Sequence, residues 1–221
     1  MCTSVNTFGQ ESKNPDWAGL NRFRDGNEKL GLPAPGENRV VFMGNSITEA
    51  WETISPDFFA GKPYIDRGIS GQTSPQMLLR FRADVIDLKP AVVLIMAGIN
   101  DIAGNTGPST LEMIEDNIIS MAELARANGI IPVLCSVMPA YDFPWNPGSM
   151  PAEKIVALNK LIRNYAEKNG NIYLDYYSST VDSRKGLKSE YSEDGVHPNV
   201  AGYKVMEPLA EAAIAAALQQ K

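Results

Sequence analysis

One short stretch joins an apolar run to a sharp polar turn: Val40-Val41-Phe42-Met43-Gly44-Asn45-Ser46-Ile47-Thr48. The run predicts a strand over 39–43, and Gly44 predicts a sharp turn because glycine tolerates backbone angles that a side chain forbids. A helix is expected to begin beneath Ser46. The serine hydroxyl would then lie where open α/β sheets bind ligands and where free helix N–H groups meet negative oxygens. Ser46 is therefore either a nucleophile or only the cap of the next helix.

The composition is that of one globular domain. The 221 residues are 44% hydrophobic and 21% charged, with a formal net charge of −6. We expect a flexible tail over 1–14 and a single domain over 15–221. The chain has no basic run that would suit a phosphate backbone, so we expect no nucleic-acid partner. No apolar stretch approaches the roughly 20 residues that a membrane span needs.

The first dozen residues are small and polar, and they carry no charge before Glu11. They fit the end of a signal peptide, with Cys2 as a lipid-attachment residue, although no basic or apolar leader region accompanies them. We expect a secreted, periplasmic or lipid-anchored protein, with a cytoplasmic location as the alternative. The second cysteine, Cys135, lies in an apolar run and predicts a buried structural thiol.

Five apolar runs alternate with helical patterns along the chain, and they predict strands over 39–43, 64–67, 91–96, 130–137 and 172–176. The run over 91–96 is continuous, which is typical of a parallel strand covered on both sides. The alternation predicts an α/β fold with right-handed crossovers. We expect a three-layer α/β/α sandwich with a five-stranded, mostly parallel sheet of the flavodoxin-like type.

The spacing of apolar residues predicts the helices between these strands. A leading helix over 15–30 is expected to pack on the domain edge. Ser74 is expected to cap the helix after the second strand, with Pro75 in its first position. A long helix begins at 109–110, and an alanine-rich helix ends at about Leu218.

His197 is the only histidine in the sequence, so it is the single candidate for an imidazole base. Gly195 permits a tight bend, and Asp194 can reach back to one imidazole nitrogen. The other nitrogen is then free to take a proton from Ser46. The alternative is a solvated surface histidine with no chemical role.

Attack of a serine oxygen on an ester carbonyl creates an oxyanion, which preplaced donors must meet. Three candidates follow three strands: the backbone N–H groups of Ser46 and Gly71 and the side-chain amide of Asn100. We expect these turns to meet because the carboxyl ends of parallel strands lie at one edge of a sheet. Each residue also has an ordinary alternative role in a turn or a cap.

Four blocks of the sequence resemble, in order, those of the SGNH or GDSL-type hydrolases. The blocks are Gly44-Asn45-Ser46-Ile47-Thr48, Gly68-Ile69-Ser70-Gly71, Gly98-Ile99-Asn100-Asp101 and Asp194-Gly195-Val196-His197-Pro198. The resemblance covers about residues 39–215. It implies that Ser46 is the nucleophile, that Gly71 and Asn100 complete the oxyanion hole, and that Asp194 and His197 complete a catalytic triad.

One residue departs from the family pattern. The residue before the serine is usually Asp in the family and is Asn45 here. The two side chains are nearly isosteric, so a local hydrogen-bonding role survives the change, whereas a role that needs a negative charge does not.

The resemblance implies a serine esterase that needs no metal or cofactor, and the expected substrate is a small acyl ester, acetyl on a carbohydrate. Aromatic residues of the segment 141–148 either stack on sugar rings or anchor their own loop: Tyr141, Phe143 and Trp145. Three alternatives remain open: a lipid-directed esterase or thioesterase, a phosphate or nucleotide binder, and a non-catalytic sugar-binding relative. The sequence has no G-x-S-x-G elbow, no P-loop pattern and no zinc-ligand spacing.

Overall fold

The structure is a computed structural model that describes residues 16–220. The predicted tail over 1–14 and the lipid-attachment hypothesis for Cys2 lie outside these residues. The strands are β1 (Val40–Gly44), β2 (Tyr64–Gly68), β3 (Val92–Ile95), β4 (Ile131–Cys135) and β5 (Ile172–Leu174). The α-helices are α1 (Arg24–Leu30), α2 (Ser46–Ile54), α3 (Ser74–Asp84), α4 (Ile99–Ala103), α5 (Leu111–Ala127), α6 (Ala152–Lys168), α7 (Tyr177–Thr180) and α8 (Val200–Leu218).

The five strands form one sheet in the order β2-β1-β3-β4-β5, and every neighbouring pair is parallel. The predicted α/β sandwich with a five-stranded parallel sheet is therefore confirmed. Gly44 pairs with Gly68, so β1 and β2 end level with each other. The chain leaves β1 for β2 on one side and reaches β3 on the other, which opens a crevice at the carboxyl edge beside β1.

Both faces of β1 are buried, and each face packs on a different helix layer. Val41 and Met43 belong to the core cluster formed with α3, α5 and α6. Val40 and Phe42 belong to the cluster formed with α2 and α8. This burial on both faces explains why the strand appears in the sequence as a continuous apolar run.

Aromatic packing holds α2 against the sheet. Trp51 is 1% exposed and stacks on Phe58, with ring centroids 5.0 Å apart and an interplanar angle of 10°. Phe42 of β1 meets Trp51 edge-on at 5.7 Å. Aromatic pairs of this kind contribute roughly 0.5–1.5 kcal/mol beyond their buried area, so the helix that begins at Ser46 is firmly placed.

The glycines that end β1 and β2 are required by close approach rather than by unusual backbone angles. Gly44 does not have a positive φ, contrary to the reason that the sequence suggested. A Cβ at Gly44 would lie 1.9 Å from Thr48 Oγ1, and a Cβ at Gly68 would lie 2.1 Å from the backbone nitrogen of Glu49. Helix α2 therefore packs directly on both strand ends.

Two predictions about helices are wrong. The leading helix covers only Arg24–Leu30 and buries no residue. It starts late because the Asp16 carboxylate accepts the N–H groups of Leu20 and Asn21 and holds the preceding segment in turns. The cap of α3 is Thr73 rather than Ser74. The Thr73 N–H donates to Gln76 Oε1 at 3.0 Å, as in a capping box, whereas Ser74 is the first residue of the helix. The final helix ends at Leu218 as predicted, and Cys135 is buried as predicted.

Asp66 of β2 carries an unusual carboxylate. Its Oδ1 accepts the Gly68 N–H at 2.7 Å, whereas Oδ2 is buried and has no hydrogen-bond partner within residues 16–220. Burial raises the pKa of Asp66 from its ordinary 3.8 to about 7, although the Gly68 hydrogen bond opposes the change; the negative charges of Glu52 and Glu49 add to it. Asp66 therefore binds its carboxyl proton more tightly in the folded protein than in the unfolded chain.

We predict that Asp66→Asn removes a pH-dependent loss of stability. Because the folded pKa is raised, the contribution of protonated Asp66 to stability is complete below about pH 4 and is lost as the pH rises through 7. The loss is at most about 4 kcal/mol by pH 8, of which about 3 kcal/mol falls between pH 5 and pH 8. Urea unfolding at pH 5 and pH 8 would measure it, with exposed Asp57→Asn as the control. An equal loss in Asp66→Asn and the wild type would contradict the assignment.

Candidate active site

Ser46 is the first residue of α2, and it is not the cap of that helix. Asn45 is the cap: its Oδ1 accepts the backbone N–H of Ile47 at 3.1 Å, and the residue is 1% exposed. The alternative that Ser46 is the cap of its helix is therefore wrong, while the local hydrogen-bonding role expected of Asn45 is confirmed. Asn45 satisfies the first turn, so the hydroxyl of Ser46 is left for another partner.

That partner is His197. Ser46 Oγ lies 3.0 Å from His197 Nε2, across 151 residues of sequence. His197 Nδ1 lies 2.7 Å from Asp194 Oδ2. Between them Gly195 has a φ of +79°, which only glycine adopts readily and which lets the chain bend back within three residues. The structure thus brings the serine, the imidazole and the carboxylate into one hydrogen-bonded line.

The turn around Asp194 makes its carboxylate a fixed anion. Oδ1 accepts the backbone N–H groups of Val196 at 2.9 Å and His197 at 2.8 Å. Burial acts to raise the pKa of Asp194, but the hydrogen bonds from the His197 side chain and from these N–H groups outweigh it and lower the pKa to about 2. An ionised Asp194 holds the proton of His197 on Nδ1, which leaves Nε2 to accept the Ser46 hydroxyl proton.

The three predicted oxyanion donors follow β1, β2 and β3 at the same edge of the sheet, with Ser46 in α2, Gly71 on a loop and Asn100 in α4. Among the described residues, the backbone N–H groups of Ser46 and Gly71 donate to no other protein group. Gly71 has a φ of +76° and is exposed. The amide of Asn100 donates to the Gln72 carbonyl at 2.9 Å, which ties α4 to the loop after β2 and uses one of its two N–H bonds.

Sequence reasoning missed the fully buried Arg80 of α3, which joins the ends of β1 and β2 to the loop after β2. Its Nη2 donates to the carbonyls of Gly44 at 3.0 Å and Arg67 at 2.8 Å, and its Nε donates to Gln72 Oε1 at 2.6 Å. A second contact joins the start of α3 to α4, where the Asp101 carboxylate accepts both the N–H and the hydroxyl of Ser74.

An aromatic loop stands beside the histidine. Trp145 is 48% exposed, and its ring centroid lies 6.1 Å from that of His197. Phe143 is 1% exposed and stacks beneath Trp145 at 5.0 Å with an interplanar angle of 13°. The Asp142 carboxylate closes the loop by accepting the Gly148 N–H at 2.7 Å. Phe143 is thus a loop anchor and cannot stack on a ligand, whereas Trp145 and the 48% exposed Tyr141 can.

Two open clefts flank the Asp194–His197 turn. One has a volume of about 300 Å³ and its lining includes Tyr141, Phe143, Arg184, Leu187 and Asp194. The other has about 360 Å³ and its lining includes Ile54, Asp194, His197, Pro198 and Val200. Within residues 16–220, His, Cys, Asp and Glu side chains form no group of three that could hold a metal ion.

Comparison with known proteins gives consistent results over most of the chain. The crystal structure of a predicted acylhydrolase from Bacteroides fragilis superposes on this structure with a TM-score of 0.90. The two sequences are 50% identical, and the match covers 93% of this chain and 100% of the other. Esterase TesA from Pseudomonas aeruginosa is 26% identical over 170 residues, which is 75% of this chain and 78% of the esterase.

A third relative matches over a shorter length. The uncharacterized lipoprotein YqeF of Bacillus subtilis is 36% identical over 81 residues, and the match spans 33% of that lipoprotein. No helix among the described residues is both long enough and apolar enough to cross a membrane. The sequence profile of the GDSL-like Lipase/Acylhydrolase family matches residues 42–205, which is well over half of the chain. The chain therefore belongs to the GDSL-like lipase/acylhydrolase family of ester hydrolases.

Proposed function

We propose that the protein is a serine esterase that hydrolyses small acyl esters, acetyl esters of carbohydrates in particular, through a Ser46-His197-Asp194 triad. The observation that carries the proposal is the contact of Ser46 Oγ with His197 Nε2 at 3.0 Å, with ionised Asp194 on the other ring nitrogen. A serine within hydrogen-bond reach of a base that a third group orients is the arrangement that nucleophilic catalysis requires.

In the acylation step, Ser46 Oγ attacks the ester carbonyl carbon while His197 Nε2 takes the hydroxyl proton. The carbonyl electrons move to the oxygen, and the N–H groups of Ser46 and Gly71 and the Asn100 amide stabilise this oxyanion. The C–O bond to the alcohol then breaks, and the alcohol leaves with the proton from His197. Asp194 stays ionised throughout and stabilises the imidazolium.

Water completes the cycle by the same route. His197 Nε2 removes a proton from water as the water oxygen attacks the acyl carbon, and the second oxyanion occupies the same donors. Its collapse breaks the bond to Ser46 Oγ, which recovers its proton from His197. The carboxylic acid is released, and neither step needs a metal or an organic cofactor.

Exposed Trp145 supports a carbohydrate as the alcohol. Its indole stands 6.1 Å from the His197 ring, and buried Phe143 stacks beneath it. A rigid, half-exposed indole offers a flat apolar surface with one N–H donor, which suits the face of a sugar ring. The 141–148 loop therefore supports a carbohydrate as the substrate.

One observation favours a lipid-directed esterase as the second candidate. Ile54 is 36% exposed and Val200 is 55% exposed, and both line the 360 Å³ cleft that contains His197. Exposed aliphatic side chains beside a catalytic base offer apolar contact to a longer acyl chain. The two candidates differ in the acyl length that they accept.

We also propose that the protein acts outside the cytoplasm, where polymeric and surface glycans are accessible. The support is the likeness over 81 residues to a protein described as a lipoprotein, together with the small, polar residues at the start of the sequence. Fractionation of cells that express the full-length natural gene product would test this placement.

A series of p-nitrophenyl esters tests the acyl specificity. We predict that kcat/KM is highest for acetate or butyrate, and that Ser46→Ala lowers it by at least about 1,000-fold because the nucleophile is lost. Spectrophotometric release of p-nitrophenol measures both. A maximum at eight carbons or longer would replace the acetyl assignment with the lipid-directed one.

A second experiment tests the role of Trp145. Trp145→Ala is predicted to lower kcat/KM for acetylated xylose- or glucose-based oligosaccharides by about 10-fold, because the stacking surface is lost, and to leave p-nitrophenyl acetate within about 3-fold. Trp145→Phe, which keeps a ring, should recover part of the loss. Equal effects on both substrates would show that Trp145 only supports the site.

A further inference from the structure

The two backbone donors of the oxyanion hole belong to different elements. The Ser46 N–H is on α2, and the Gly71 N–H is on the loop after β2. Both must lie about 2.7–3.1 Å from one oxygen for the hole to work, so their separation has to be held within a few tenths of an ångström. Ser70 and Gly71 are both exposed, so burial does not hold these two residues, although Gln72 after them is buried.

Glu49 connects the two elements directly. It lies one turn after Ser46 on α2, and its Oε2 accepts both the backbone N–H of Ser70, at 2.9 Å, and the Ser70 hydroxyl. Its Oε1 accepts from Arg22 Nη2 at 3.0 Å, so the carboxylate is held on both oxygens. Helix α2, which carries Ser46, therefore also binds Ser70, the residue just before Gly71.

Asn105 holds the same loop from the opposite side. Its Nδ2 donates to the Gly71 carbonyl at 3.0 Å, and its backbone N–H donates to the Asn100 carbonyl at 3.0 Å. The peptide group that contains the Gly71 N–H thus lies between a carboxylate on one neighbour and an amide on the other. With both adjoining peptide groups held, the directions that this N–H can take are restricted.

We propose that Glu49 is a positioning residue, which holds the Gly71 N–H in place relative to Ser46 and so preorganises the oxyanion hole. Asn105 holds the same loop from the α4 side, and the two residues together form a clamp on Ser70 and Gly71. Neither residue touches the substrate. Both act only through the loop, so their contribution appears where negative charge develops on the carbonyl oxygen. This inference rests on the proposed esterase function of the same site.

The test compares Glu49→Ala with two controls in steady-state hydrolysis of p-nitrophenyl acetate. Glu49→Ala is expected to lower kcat by about 10-fold or more and to change KM by less than about 3-fold, because the loss falls on the transition state. Glu49→Gln, whose Oε1 still accepts the Ser70 N–H, should recover most of the rate. Glu52→Ala removes an exposed carboxylate from the same helix and should match the wild type.

A transition-state analogue separates positioning from general damage. A small trifluoromethyl ketone adds to Ser46 Oγ and places a hemiketal oxyanion in the hole, so its inhibition constant should rise in Glu49→Ala by about the same factor as kcat falls. Thermal unfolding should show Glu49→Ala folded, within a few degrees of Glu52→Ala. Asn105→Ala should give a smaller loss of the same kind, and the double variant should be non-additive.

The outcomes distinguish this inference from the function on which it rests. If the wild type hydrolyses the ester and Glu49→Ala equals Glu52→Ala in kcat and inhibition constant, the positioning role of Glu49 is wrong and the proposed esterase activity is retained. A fall in kcat without a matching change in the inhibition constant also contradicts that positioning role. If the folded wild type hydrolyses no ester in the series, the esterase proposal fails, and the clamp fails with it.

Discussion

A buried guanidinium holds the carboxyl edge of the sheet together. Arg80 is 0% exposed, and its four hydrogen bonds reach the last residue of β1, the end of β2, Gln72 in the loop after β2 and the Asp84 carboxylate at 3.1 Å. Burial lowers the pKa of Arg80, and Asp84 opposes that effect. Removing one partner of such a pair leaves an uncompensated buried charge and typically costs about 3–5 kcal/mol, so the strand ends depend on this contact.

The site is assembled on this edge from two independent sides. Helix α2 packs on the ends of β1 and β2 without an intervening side chain, which places Ser46. His197 comes from a turn that is folded by its own hydrogen bonds, with Asp194 as acceptor for three N–H groups. Ser46 is thus located by the sheet and His197 by a local turn, and Ser46 Oγ lies 3.0 Å from His197 Nε2.

The sheet could be predicted from the sequence because its signals are local, and so could the meeting of Ser46, His197 and Asp194 at one edge, whereas their catalytic roles stay a prediction. Continuous apolar runs mark strands buried on both faces, and a lone histidine leaves one candidate base. Arg80, Glu49 and Asn105 could not be predicted. Arginine is almost never fully buried unless it is paired, and its partners here lie up to 36 residues away. The contacts of Glu49 and Asn105 span 21 and 34 residues and carry no periodicity. The leading helix was predicted too long because one side chain, Asp16, holds the segment before Arg24 in turns.

If His197 and Asp194 make Ser46 a nucleophile, the serine should react with a fluorophosphonate. Ser46 Oγ displaces fluoride from phosphorus, and mass spectrometry measures the mass and the position of the adduct. We expect one adduct per chain, on Ser46, and labelling slowed at least about 100-fold in His197→Ala. A well-folded wild type that forms no adduct, or one that reacts equally fast without His197, would contradict this expectation.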